Sequence, residues 1–91
     1  MEKQLKIIVR GKVQGVYFRK TTQEKAQKLG LKGKVRNEPD GSVLIYVKGN
    51  EKDLEAFIDF CHIGPERARV EQVKAEPLED PIEASDFIIE R

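Results

Sequence analysis

Leu5, Ile7 and Val9 alternate with Gln4, Lys6 and Arg10 at the start of the chain. A period of two predicts a strand with one buried face. Beyond a glycine-containing segment, Phe18, Thr22, Ala26 and Leu29 recur at helical spacing, and Gly30 supplies a C-terminal stop. Leu31 to Asn37 is a second strand candidate. Glu38-Pro39-Asp40-Gly41 is a turn signal, because Pro pre-sets φ and Asp-Gly accepts positive φ. Ser42 to Lys48 then puts Val43, Ile45 and Val47 on one face, so residues 32–48 read as a β-hairpin. Gly49 is expected to end that strand and Asn50 to cap a second helix, whose apolar face is Leu54, Phe57, Ile58 and Cys61. Gly64-Pro65 ends this helix. Arg67 to Ala75 is a fourth strand, and its alternation slips between Val70 and Val73, as at a β-bulge. Glu76 to Ser85, with two prolines and four acids, reads as a loop, and Phe87 to Glu90 as a short last strand.

The order β-α-β-β-α-β plus a terminal strand predicts an α+β fold. The expected architecture is a ferredoxin-like split β-α-β sandwich, an antiparallel sheet with two helices packed on one face. At 91 residues the chain is expected to be one domain, 1–91. This architecture hosts unrelated functions, so the chemistry has to come from particular residues.

Charge narrows the classes. There are 17 Lys+Arg against 16 Asp+Glu, a net charge of +1, which argues against a broad nucleic-acid surface. The cations concentrate in residues 1–36 and the segment from Glu76 to Glu90 is acidic, so a locally positive site is compatible with a neutral molecule. Cys61 is the only cysteine and has no disulfide partner, which suits a reducing compartment. No apolar run has the length of a signal peptide or a membrane span, and a cytoplasmic location is expected.

The stretch from Gly11 to Arg19, GKVQGVYFR, carries the chemistry. It joins a strand to a helix, two glycines let the backbone take positive φ, and an arginine falls on the first helical turn. Successive N–H groups at such a junction converge on one spot, the helix N-terminus adds positive potential, and a guanidinium fork matches a phosphoryl group. The segment lacks both the Gly-Lys-Ser/Thr ending of nucleotide-triphosphatase loops and the Gly-x-Gly-x-x-Gly of dinucleotide sites. An anion cradle built on Gly15, Val16, Tyr17, Phe18 and Arg19 is one reading; a glycine-rich turn with a solvated Arg19 is the other. Asn37, just before the turn, is either turn chemistry or an amide positioned to accept from a water. His62 is alone and remote in sequence from the cradle. Cys61 lies on an apolar stripe and reads as core. The acids Glu76, Glu79, Asp80, Glu83 and Asp86 lack the spacing and turn glycine of a cation loop, so a solvated loop is expected. No metal and no cofactor are expected.

In these blocks the chain resembles the acylphosphatase family. The Gly11–Arg19 stretch looks like its signature loop. Gly30-Leu31-Lys32-Gly33-Lys34-Val35-Arg36-Asn37, Asp40-Gly41, Gly64-Pro65 with Ala68 and Val70, and the terminal Phe87 and Ile89 follow in matching order. The resemblance implies a metal-free hydrolase that splits acyl phosphates into a carboxylate and phosphate. It implies that the backbone from Gly15 to Arg19 cradles the phosphoryl group, that Arg19 binds it, and that Asn37 orients the attacking water. Lys34 departs from the pattern, standing where the family usually has tryptophan. The implied partners are a small acyl phosphate and inorganic phosphate as product and inhibitor, with no nucleic acid, no membrane and a monomeric state. Competing readings are a non-catalytic anion-binding module on the same fold, a carbamoyl-phosphate-handling role as in larger proteins with a similar domain, and an RNA-binding sheet. The last lacks aromatics on the first strand and has only Tyr46 on the third.

Overall fold

In a computed structural model describing residues 2–90, the elements follow the expected order. They are β1 (Glu2–Lys12), α1 (Phe18–Lys28), β2 (Lys32–Asn37), β3 (Val43–Asn50), α2 (Glu51–Ile63), β4 (Arg69–Pro77) and β5 (Phe87–Ile89). The strands form one sheet in the order β4-β1-β3-β2-β5. The alternation decides which face is covered. Ile7, Val9, Val35, Val43, Ile45, Val47 and Phe87 are buried with Phe18, Ala26, Leu54, Phe57 and Cys61 of the helices, giving a two-layer sandwich. The first four strands pair antiparallel, as expected. The short β5 pairs parallel with β2, which makes the five-stranded sheet mixed.

Both helices end and begin by local chemistry. Gly30 takes φ +73, and the N–H groups of Gly30 and Leu31 donate to the carbonyls of Gln27 and Ala26, a Schellman closure of α1. The Asn50 side chain accepts from the Lys52 N–H at 2.9 Å and caps α2.

Several expected strand boundaries move. β3 continues through Gly49 to Asn50, because Gly49 pairs with Lys3 in the ladder. Its glycine serves packing: a Cβ there would sit 2.3 Å from Leu31 Cδ2. β4 starts at Arg69 and runs on to Pro77, which an edge strand tolerates. β5 ends at Ile89 instead of Glu90. The slip in β4 is the expected bulge: Arg10 faces Gln72 while the next residue, Gly11, faces Val70. Gly11 fits there because a Cβ would meet the Arg69 carbonyl oxygen at 2.1 Å.

Since β4 and β5 lie at opposite edges, the segment between them crosses the sheet face that the helices leave open. Gln4 holds it, donating from Nε2 to the carbonyls of Leu78 (3.3 Å) and Asp80 (3.2 Å) and accepting from the Ile82 N–H (2.6 Å). Its acids Glu79, Asp80 and Glu83 are exposed, as a solvated loop requires. Lys34 lies on the same open face. Its Nζ is 5.5 Å from the Tyr46 ring centroid and 3.1 Å from Glu90 Oε2, so an ammonium over an aromatic face occupies this place.

Candidate active site

The topology gathers the site. β1 and β2 both run antiparallel to the β3 between them, so both finish at the same end of the sheet. β5, parallel to β2, finishes there too, and β4 begins there. The loop after β1, the N-terminus of α1, Asn37 at the end of β2 and the turn before β4 therefore converge. They enclose a cavity of about 450 Å³ lined by Val13, Gly15, Tyr17, Phe18, Arg19, Lys20, Asn37, Arg67 and Ile89.

Buried side chains pin the loop while its backbone stays available. Val13, Val16 and Phe18 are buried in the core. Gly15 takes φ +73 and Tyr17 φ +64, ψ +21. A left-handed tyrosine costs about 1–2 kcal/mol relative to a right-handed one, so the surrounding packing has to hold it. Among the described residues, the N–H groups of Gly15, Val16, Tyr17, Phe18 and Arg19 find no acceptor. Five backbone donors thus stand at the mouth of a helix whose N-terminal potential is positive. Arg19 is half-buried beside them and, among the described residues, makes no ion pair.

The hairpin turn carries Asn37 to this spot and is tied down twice. Gln14 Nε2 donates to the carbonyls of Glu38 (2.8 Å) and Ser42 (2.9 Å), joining the cradle loop to both sides of the turn. Asp40 accepts from the Ser42 hydroxyl (2.6 Å), the Ser42 N–H (2.9 Å) and Arg10 Nη1 (3.0 Å). These three contacts, the Ser42 hydroxyl foremost, hold the Asp40 carboxyl at about 2, below its ordinary 3.8. The turn is thus secured by Gln14, Asp40 and Ser42 without Asn37. The Asn37 Oδ1 is buried and, among the described residues, has no hydrogen-bond partner. A buried acceptor without a donor is uncommon; of the two such atoms among the described residues, Thr22 Oγ1 and Asn37 Oδ1, the one on Asn37 belongs to a residue that lines this cavity.

Comparison with known proteins agrees with this geometry. The acylphosphatase family pattern matches residues 5–89. The chain belongs to the acylphosphatase family. It is 51% identical over 81 residues to an acylphosphatase of Marinobacter nauticus, covering 89% of this chain and 88% of the relative. It is 51% identical over 75 residues to one of Haloarcula marismortui, covering 82% and 81%. The crystal structure of acylphosphatase from Bacillus subtilis superposes with a TM-score of 0.93 at 34% identity over the whole of both chains. The activity of the chain is accordingly the hydrolysis of acyl phosphates, and its ferredoxin-like fold is that of the acylphosphatases.

Every residue assigned to the site from the acylphosphatase resemblance, except the buried Val16, lines the cavity. Residues set aside stay outside it. His62 is exposed near the end of α2. Cys61 is fully buried, and burial pushes its thiol up to about 12. Among the described residues no group of three or more His, Cys, Asp or Glu side chains could hold a metal ion. Sequence reasoning missed Gln14, Lys20 and Arg67. Gln14 stood inside the signature loop, and its polar side chain next to the buried Val13 was the available signal. Lys20, exposed on α1, and Arg67, exposed in a turn, belong to no apolar periodicity.

Proposed function

We propose that this acyl phosphate hydrolase works without a metal ion, with the N–H groups from Gly15 to Arg19 and the Arg19 guanidinium holding the phosphoryl group and Asn37 orienting the attacking water. The observation that carries the reading is the unpartnered, buried Asn37 Oδ1 in the cavity that Arg19 and the loop also line. A water donating to that oxygen has its lone pair free for phosphorus. The new bond is water oxygen to phosphorus, and the bond that breaks joins phosphorus to the acyl oxygen. The departing carboxylate is a weak base, so it needs no strong general acid. The water proton goes to the phosphate, because an amide is a poor base.

What the chain supplies is therefore position and charge. Oriented donors in a partly closed site stabilise negative charge on the equatorial oxygens, which is the larger part of what a protein contributes to phosphoryl transfer. Holding the water in line removes the entropy of finding it. A non-catalytic anion binder would use the same cradle, but it leaves the buried Asn37 oxygen without a task. In this reading the enzyme is a single domain over residues 1–91, monomeric and cytoplasmic, with inorganic phosphate as product and competitive inhibitor and no nucleic-acid or membrane partner. Among the described residues no helix is long and apolar enough to cross a membrane.

Hydrolysis of benzoyl phosphate in excess chelator tests this assignment. Full turnover is expected, with competitive inhibition by phosphate and sulfate. Activity that chelator abolishes and a divalent ion restores would overturn it.

A further inference from the structure

Among the described residues, the charged side chains lining the cavity are Arg19, Lys20 and Arg67, and no Asp or Glu joins them. This is more positive charge than a plain acyl phosphate needs. The phosphoryl group of such a substrate is a dianion near neutral pH, and Arg19, the loop N–H groups and the α1 N-terminus already answer it.

Arg67 sits apart from that cradle yet against it. It belongs to the turn between α2 and β4, which the Ala68 N–H closes by donating to the Pro65 carbonyl at 2.9 Å. The turn rests on the cradle itself. Gly64 takes φ +68, and a Cβ there would lie 2.9 Å from Phe18 Cε2. Arg10 pairs with Asp40, and Arg36 with Glu38 and Glu90, while Arg69, also without an ion pair among the described residues, does not line the cavity. Arg67 is exposed and, among the described residues, makes no ion pair and no side-chain hydrogen bond. Tyr17 and Ile89 line the same cavity and offer apolar surface to the stem of an acyl group.

We infer that Arg67 reads a second anionic group on the acyl part of the substrate, and that the preferred class is acyl phosphates bearing a further carboxylate or phosphate. The inference rests on the hydrolase reading of this cavity. A guanidinium presents a planar fork that matches a carboxylate or a phosphate, whereas a neutral acyl group gives it nothing to bind. Lys20 reinforces the positive field as a point charge but has no fork.

The test compares benzoyl phosphate with its 3- and 4-carboxy derivatives, which differ from it by one carboxylate at two reaches. The kcat/KM ratio of carboxylated to plain substrate is measured for the wild type, Arg67→Ala, Arg67→Lys and Arg67→Glu. The wild type should favour at least one carboxylated substrate by roughly three- to tenfold, the scale of an exposed or partly exposed charge pair. Arg67→Ala should erase the preference, Arg67→Lys keep part of it, and Arg67→Glu reverse it. A loss of folded enzyme cancels in the ratio. Calorimetric affinities of benzylphosphonate and 4-carboxybenzylphosphonate repeat the comparison without turnover. If the wild type hydrolyses none of the acyl phosphates, the hydrolase reading fails, and the phosphonate ratio still decides the role of Arg67. A wild-type ratio near one, or a preference that survives Arg67→Ala, overturns the inference.

Discussion

Arg19, on the first turn of α1, and Asn37, the last residue of β2, line one cavity because the strands that precede them leave the sheet at the same end. In the proposed mechanism the pair divides the labour of the reaction between a residue for the anion and a residue for the nucleophile. Neither is held by a hydrogen bond from the other, so each can be removed and its own loss read separately.

Arg19→Ala should lower kcat/KM by about 10²–10³, the typical effect of losing one electrostatic donor aimed at a developing charge. Phosphate should also inhibit more weakly, since the same guanidinium holds the product. Arg19→Lys should restore only part of both, because a point charge does not reproduce the fork. Steady-state kinetics with benzoyl phosphate and phosphate inhibition constants check this. A fully active Arg19→Lys enzyme would show that bidentate geometry is unimportant here.

Gln14 should act as a positioning residue. Its amide bridges the carbonyls of Glu38 and Ser42, so Gln14→Leu unties the cradle from the turn that carries Asn37. Two lost hydrogen bonds predict a stability decrease of about 1–3 kcal/mol. The telling readout is kinetic: kcat should fall more than phosphate affinity, because the water and the phosphoryl group lose register. An unchanged kcat in folded Gln14→Leu enzyme would leave Gln14 a purely structural tie.

The elements are largely legible in the sequence, and the reasons are local. Leu5, Ile7 and Val9, and Val43, Ile45 and Val47, face the core at every second place, so the strands announce themselves. The bulge shows because it breaks that rhythm between Val70 and Val73. What alternation cannot convey is which edges meet. The three residues of β5 carry too little pattern to announce a parallel pairing. Nothing local indicates that the segment after β4 must cross an open face and be held there by Gln4. Gly49 misleads for a related reason. Its glycine answers to the Leu31 side chain, a neighbour only in space. The site is legible as a resemblance of motifs, while the tie from Gln14 to the turn and the approach of Arg67 are products of topology.

Acid should loosen the turn. Asp40 titrates at about 2 in the folded chain against an ordinary 3.8, with the Ser42 hydroxyl the leading cause. The Glu90 carboxyl is likewise lowered, chiefly by its hydrogen bond from Arg36. A folded value below the unfolded one means stabilisation that is full above the unfolded value and lost as pH falls through the folded one. Urea unfolding midpoints should therefore decline from about pH 5 to pH 2, and Asp40→Asn should flatten the part of the slope that Asp40 supplies. An identical slope in wild type and Asp40→Asn would contradict the assignment.

The division of labour is tested most directly by Asn37→Ala, measured for kcat, kcat/KM, phosphate inhibition constant and thermal midpoint on one preparation. An interaction that matters chiefly in the transition state lowers kcat and kcat/KM together. The account predicts a large fall in both, with phosphate affinity and thermal midpoint near those of the wild type, because the Asn37 Oδ1 has no partner to lose among the described residues. Asn37→Asp, which sets a carboxylate beside the anion, should weaken phosphate binding as well. An Asn37→Ala enzyme that keeps full kcat and melts earlier would make Asn37 a brace of the turn and contradict the account.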